Sequence, residues 1–211
     1  MRKIVKNILI LGDKTNVRWH NVKELNDLIY GLKELDYQIT VSEDYEDITK
    51  AELKYYDICI NYMDNWEDRG NLIAQEELVS YLLDGGRMLT IHNGIIVKGA
   101  AKLLDIHGAE FTGHEEYTTL TYLKAEGNHP IMEGFKDFDI TEEPYEFHMR
   151  NTIPMNIFLN YRYKDSLYPA GWSVTPGQGK LVYLSFGHNA KTFASKSVLE
   201  LCIRSLEWLN S

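Results

Sequence analysis

Short apolar runs, each halted by a polar loop, recur through the first ninety residues and restrict the fold more than any other feature of the chain. NILIL (7–11) stops at Gly12-Asp13, YDICINY (56–62) runs into Met63-Asp64-Asn65, and RMLTI (87–91) runs into His92-Asn93-Gly94. Runs this short and this apolar suit strands covered on both faces, the condition of a parallel sheet. YQITVS (37–42) reads as a further, more amphipathic strand. The segments between carry the helical period instead. From Asn21, a fair N-cap, Val22, Leu25, Ile29 and Leu32 recur at spacings of three, four and three, which predicts a helix over 21–35. Residues 71–84 carry Leu72, Ile73, Val79, Leu82 and Leu83 ahead of Gly85-Gly86, a helix with a glycine stop. This alternation predicts an α/β fold, a mostly parallel sheet with helices on both faces.

The second half is richer in strand signals. EYTTLTYLKA (116–125), NIFLNYRYK (156–164) and KLVYLSF (180–186) hold β-branched and aromatic residues, with turn signals at Gly127-Asn128 and Pro176-Gly177. They predict an antiparallel extension of the sheet. Val198, Leu201, Cys202, Leu206 and Leu209 mark a closing amphipathic helix over 195–209. No internal repeat or Pro/Ser-rich linker divides the chain, so residues 1–211 read as one domain. The two cysteines, Cys59 and Cys202, lie in apolar periodic runs and read as reduced core side chains.

Charge excludes some partners. Against 31 acidic side chains stand 22 basic ones, a net charge of −9, so nucleic acid and anionic membrane surfaces are poor partners. The basic start precedes too few apolar residues for a signal peptide, and no later run approaches the roughly 20 apolar residues of a membrane span. The expected location is cytoplasmic. Neither G-x-x-x-x-G-K-[ST] nor a strand-following G-x-G-x-x-G is present, so nucleotide phosphate binding gains no support.

In open α/β sheets ligands bind beyond the carboxyl ends of the strands. That rule selects Asp13, Trp19 and His20 after the first strand, Asp64, Asn65 and Trp66 after the third, His92-Asn93-Gly94 after the fourth, and His188 after KLVYLSF. Imidazoles gathered at such an edge can hold a divalent metal such as zinc or transfer protons, and spacing does not choose between these. A loop-ordering role competes for each histidine taken alone. RMLTIHNG also has the strand–turn–helix outline of a nucleophile elbow. It offers His92 or Asn93 where an elbow presents Ser or Cys, which disfavours acyl transfer, while N–H groups around Asn93 and Gly94 can bind an oxygen.

Other candidates lie in the middle of the chain. His114 neighbours Glu115 and Glu116, and a carboxylate beside an imidazole can fix its tautomer or raise its pKa; the competing reading is a solvated loop. His129, before Pro130, reads as structural. After the apolar FDI run, Glu143 and Tyr145 share one strand face by the two-residue period, and Glu143 is the preferred base or ligand. The competing reading is an exposed, charged edge, and His148 falls in the same element. Trp19, Trp66, Tyr117, Tyr145 and Trp172 offer flat faces that suit sugar rings and suit a core equally well.

These segments resemble the ThuA-like (trehalose utilisation) proteins. The resemblance runs through Trp19-His20, GGRMLTIHNG (85–94), GAEFTGHEEY (108–117), Asn128-His129-Pro130-Ile131 with Gly134-Phe135, the E-E-x-Y element from Glu142 to Tyr145, and GQGKLVYLSFGH (177–188). It implies a flavodoxin-like, class I glutamine amidotransferase-like fold with the amidotransferase cysteine replaced, His92 following the strand where the elbow would lie. It also implies a carbohydrate setting, the utilisation of a disaccharide or keto-sugar. His92 is followed here by Asn93 where the family often has a small hydroxyl residue.

The resulting expectation gives His20, His92 and Glu143 catalytic roles, with His20, His92 and His188 as the metal set if a divalent ion is used. Trp19, Asp64, Trp66, Asn93, His114 and Tyr145 would contact a carbohydrate ligand. The chemistry is then proton transfer, or metal-assisted hydrolysis or isomerisation, on a sugar derivative. The alternative is a non-catalytic sugar-binding or assembly module that kept the scaffold without the thiol, and a homo-oligomer is compatible with either. Both versions of the site require the dispersed histidines to meet at one rim.

Overall fold

The apolar runs become the centre of a sheet. The structure, a computed structural model, describes residues 6–15, 17–44, 48, 50–63, 72–97 and 101–211. Among them the first strands are β1 (Lys6–Leu11), β2 (Tyr37–Ser42), β3 (Ile58–Asn61), β4 (Arg87–Ile91), β5 (Ala109–His114) and β6 (Thr118–Lys124). There follow β7 (Phe138–Glu142), β8 (Tyr145–Met149), β9 (Met155–Tyr163), β10 (Ser166–Val174) and β11 (Lys180–Leu184). Nine of these described strands form one sheet in the order β2-β1-β3-β4-β11-β10-β9-β6-β7, and β5 pairs with β8 in a separate antiparallel ribbon. The pairs from β2 to β11 are parallel. From β11 to β7 they are antiparallel.

Period-two alternation sorts the side chains onto two buried faces. Ile8, Ile10, Ile58, Ile60, Leu89, Ile91, Val182 and Leu184 face helices α1 (Asn26–Glu34) and α6 (Lys196–Leu209). Their neighbours Leu9, Leu11, Cys59, Met88, Leu181 and Tyr183 face α3 (Leu72–Leu83) and α4 (Ala101–His107). The short helices α2 (Lys50–Leu53) and α5 (Ala190–Phe193) complete the described set. Each buried aliphatic side chain contributes about 1.5–3 kcal/mol of transfer free energy, so covering both faces is what drives the sandwich together. Cys59 and Cys202 are free and buried, and burial pushes the Cys202 thiol up to about 12. No described helix is long and apolar enough to cross a membrane.

Several elements differ from their sequence patterns. The 21–35 segment opens as a 3-10 turn (Val22–Leu25) capped by the Asn21 side chain, and turns into α1 only at Asn26. KLVYLSF belongs to the parallel half, registered Lys180 on Arg87 through Leu184 on Ile91, while the antiparallel extension is β10, β9, β6 and β7. Strand β10 carries Pro169 and Gly171, which look like turn residues, and the ladder absorbs them with register shifts around Gly171. The β5–β8 ribbon lays Phe111, His114 and Tyr145 over the carboxyl ends of the parallel strands, where ligands of such sheets bind.

Candidate metal and sugar site

The strand β4 ends in a sharp turn whose apex is His92. Its φ of +47 lies in the left-handed region, uncommon for a residue with a Cβ and usually held by surrounding structure. Gly94 allows that turn, since a Cβ there would collide with the Asn61 carbonyl oxygen at the end of β3. Asn61 in turn donates to the Gly94 carbonyl, and Asn93 donates to the carbonyls of Tyr62 and Met63 at 3.2 and 2.9 Å. Asn93 therefore braces the turn and is itself buried. The strand–turn outline expected of RMLTIHNG is present, with His92 at its apex.

Three loops bring partners to that imidazole. The loop after β1 carries His20; Glu43 holds its Lys14 and Thr15 amides, and the Val22 amide closes it on the Asp13 carbonyl. The loop after β11 carries His188, with the Tyr62 hydroxyl donating to the Gly187 carbonyl at 2.6 Å. Glu143 arrives from the two-residue link between β7 and β8 rather than from a strand face, as Pro144 interrupts the pairing. One donor atom from each of His20, His92, Glu143 and His188 lies within 4.8 Å of the others. His20 Nε2 is 3.2 Å from His188 Nδ1, His188 Nδ1 is 3.3 Å from Glu143 Oε2, and His92 Nε2 is 3.4 Å from the same oxygen.

Counting hydrogens shows why this cluster is unusual. His92 Nδ1 lies 2.6 Å from the Ser185 carbonyl, which only accepts, so Nδ1 carries the hydrogen. Burial lowers the ring's pKa to about 4, leaving Nε2 a bare lone pair near neutrality. That lone pair has no hydrogen-bond partner and faces a carboxylate, two acceptors without a proton between them. His188 Nδ1 has at most one hydrogen for its two close contacts. Burial works to raise Glu143, but the imidazoles beside it, His188 first, outweigh that and hold its carboxyl well below the usual range. Its hydrogen bond to Glu143 raises His188. A tetrahedral ion with bonds of about 2.0–2.1 Å needs donors spaced about 3.3–3.4 Å apart, close to these three separations, and three imidazoles with one carboxylate are ligands that zinc accepts.

Around the four donors stands a partly open wall. The Tyr145 ring stacks on His92 at 4.1 Å, and Phe111 and His114 pack against Tyr145 in turn. His114 reaches within 3.9 Å of Glu143 Oε1 with its side chain 42% exposed. Tyr117 lies against His188 and accepts a hydrogen bond from Asn189. Trp19 is exposed beside His20, with the Arg18 guanidinium over its ring. Asp64 and Trp66, expected as substrate contacts, lie outside the described residues. Trp172 is a core residue, its indole N–H donating to the His107 carbonyl. His129 is structural as expected, bonded to Ser173 and to the Ile131 amide, and His148 pairs opposite Glu110 in the ribbon.

Sequence reasoning passed over Glu142 in favour of Glu143. Glu142 is wholly buried, and burial pushes its pKa up to about 7 against the hydrogen bonds it accepts. The signal was available: Phe138, Ile140 and Glu142 alternate along β7, which sends Glu142 inward with the two apolar residues.

Fold and site define a class: a doubly wound α/β scaffold of the class I glutamine amidotransferase-like kind, whose elbow bears histidine among histidines and a carboxylate. The family pattern of ThuA, described as trehalose utilisation, matches residues 7–209, and the chain belongs to that family. Its membership ties the chain to sugar utilisation. Solved structures agree on the fold. A ThuA-like protein from Bacteroides uniformis superposes with a TM-score of 0.79 at 17% identity, over 97% of this chain and 91% of that one. A ThuA-like protein from Parabacteroides merdae gives 0.80 at 12%, over 98% and 90%. The β-galactosidase from Rahnella sp. R3 gives 0.67 at 14%, over 96% of this chain but 31% of its own. No curated protein matches the chain.

Proposed function

We propose that this protein is a metal-dependent enzyme that hydrolyses or isomerises a sugar derivative, a disaccharide or keto-sugar, at the carboxyl edge of its sheet. The observation that carries the reading is the bare Nε2 of His92 facing the Glu143 carboxylate, with His20 and His188 closing the same space. Those four residues would hold the ion. A divalent ion supplies Lewis-acid polarisation of a sugar oxygen or carbonyl. Glu143, held ionised by its neighbours, suits a ligand better than a base. His114 then becomes the group that moves a proton at its Nε2: its Nδ1 is given to the Glu115 carbonyl at 2.9 Å, its exposed face meets solvent, and it stands beside the cluster without joining it. Tyr117 offers a sugar ring a flat face at the mouth, and the buried side of the site, His92 and Tyr145, excludes water.

The test pairs elemental analysis of untreated protein with a screen of glucosides and their 3-keto derivatives. One equivalent of a transition metal, turnover that chelator removes, and turnover lost in both His92→Ala and His114→Ala, with metal retained only in the latter, are expected. A chain that binds sugar but turns over none of the panel with metal bound would support the non-catalytic binding module instead.

A further inference from the structure

One buried carboxylate, outside the four-donor set, ties two of its loops together. Glu142 Oε1 accepts from the Gly187 amide at 3.1 Å, from the His188 amide at 3.3 Å and from the Thr192 hydroxyl. Its Oε2 accepts from the His188 amide at 3.4 Å and from the Glu143 amide at 3.3 Å. All of these are donors, and the residue is fully buried. Gly187 admits the approach: its φ is +137, and a Cβ there would press on Ile91 and on the His92 Cβ. The chain beyond β7 and the chain beyond β11 thus meet on a single side chain, 45 and 46 residues apart in sequence.

We infer that Glu142 is the positioning residue of the metal site, fixing Glu143 and His188 at the separation that lets them share one ion; the inference rests on the proposed metal site. Two acceptor oxygens are called for at this point, because backbone N–H groups converge on both. A glutamine has the same shape, yet its amide nitrogen would point hydrogens at one of the N–H groups that Glu142 now receives. Outer residues of this kind commonly set metal affinity within a factor of 10–100 while leaving the ligands themselves in place.

The experiment is a zinc titration of the purified full chain by competition with a chromophoric chelator, comparing wild type, Glu142→Gln, Thr192→Val and His107→Gln. The expected result is one zinc per chain in all four. Affinity falls about 10- to 100-fold in Glu142→Gln and several-fold in Thr192→Val, which removes one donor only. His107→Gln disturbs the core but none of these loops, so its affinity stays at the wild-type value although its Tm falls. If Glu142→Gln does not fold, Thr192→Val decides. Affinity equal to wild type in the folded Glu142 or Thr192 variant overturns the positioning role alone. A wild-type chain that takes up no zinc overturns the metal reading, and this inference with it.

Discussion

His92 and His107 are buried to the same degree, each gives its Nδ1 hydrogen to a main-chain carbonyl, and burial lowers each pKa to about 4. They differ at one atom. His107 Nε2 meets the Thr90 hydroxyl at 2.9 Å, so every polar atom of that ring is satisfied inside the core. His92 Nε2 has no hydrogen-bond partner and faces the Glu143 carboxylate. His129, with Ser173 on one nitrogen and the Ile131 amide on the other, falls in with His107. Neither burial nor a shifted pKa sets His92 apart from His107 and His129; the lone pair without a donor does.

The sharpest way to break that contrast is to delete each ring. A four-ligand zinc site is worth about 10–16 kcal/mol, so losing a quarter of it through His92→Ala should weaken metal binding at least about a hundredfold, as a chelator competition would read. His107→Ala should leave metal binding unchanged and cost about 2–4 kcal/mol of folding stability in urea titrations, through a cavity and an orphaned Thr90 hydroxyl. If His107→Ala also stripped the metal, the division into core and rim would fail.

Acid offers a finer test. A histidine whose folded pKa lies below its unfolded value of 6.5 contributes stability above that value and loses it as pH falls towards about 4, because the unfolded chain takes the proton first. The gap in stability between metal-free wild type and His107→Gln should therefore narrow by about 2 kcal/mol between pH 7 and pH 5. A constant gap would mean that the ring is protonated in place. The smallest effect is expected at the mouth: Tyr117→Phe removes the hydroxyl bonded to Asn189 and should weaken sugar binding by about 1 kcal/mol or less, without changing metal content.

The parallel half of the sheet was legible because strands covered on both faces need continuous apolar runs, and NILIL, DICIN and RMLTI supply them. The candidate rim was legible for the same reason, since each run ends where its loop begins, and His20, His92 and His188 stand in the loops beyond those ends. What escaped was set by tertiary context. Strand β10 hides behind Pro169 and Gly171 because a bulge absorbs them, and β5 and β8 are too short to announce a ribbon. Glu143 was found by a period argument that does not apply to it, since it sits in a link with Pro144, whereas that argument does apply to Glu142 one residue earlier. Spacing left metal and proton transfer equally open for the histidines. The direction of individual lone pairs bears on that choice, and a sequence does not carry it.

The most direct measurement is a zinc-edge anomalous difference map from crystals of the protein grown without chelator. One strong peak is expected within about 2.0–2.3 Å of His92 Nε2 and bonded to His20, His188 and Glu143. Zinc-soaked crystals that show no peak there, with an ordered hydrogen-bonded water or a direct imidazole–carboxylate bond in its place, would contradict it.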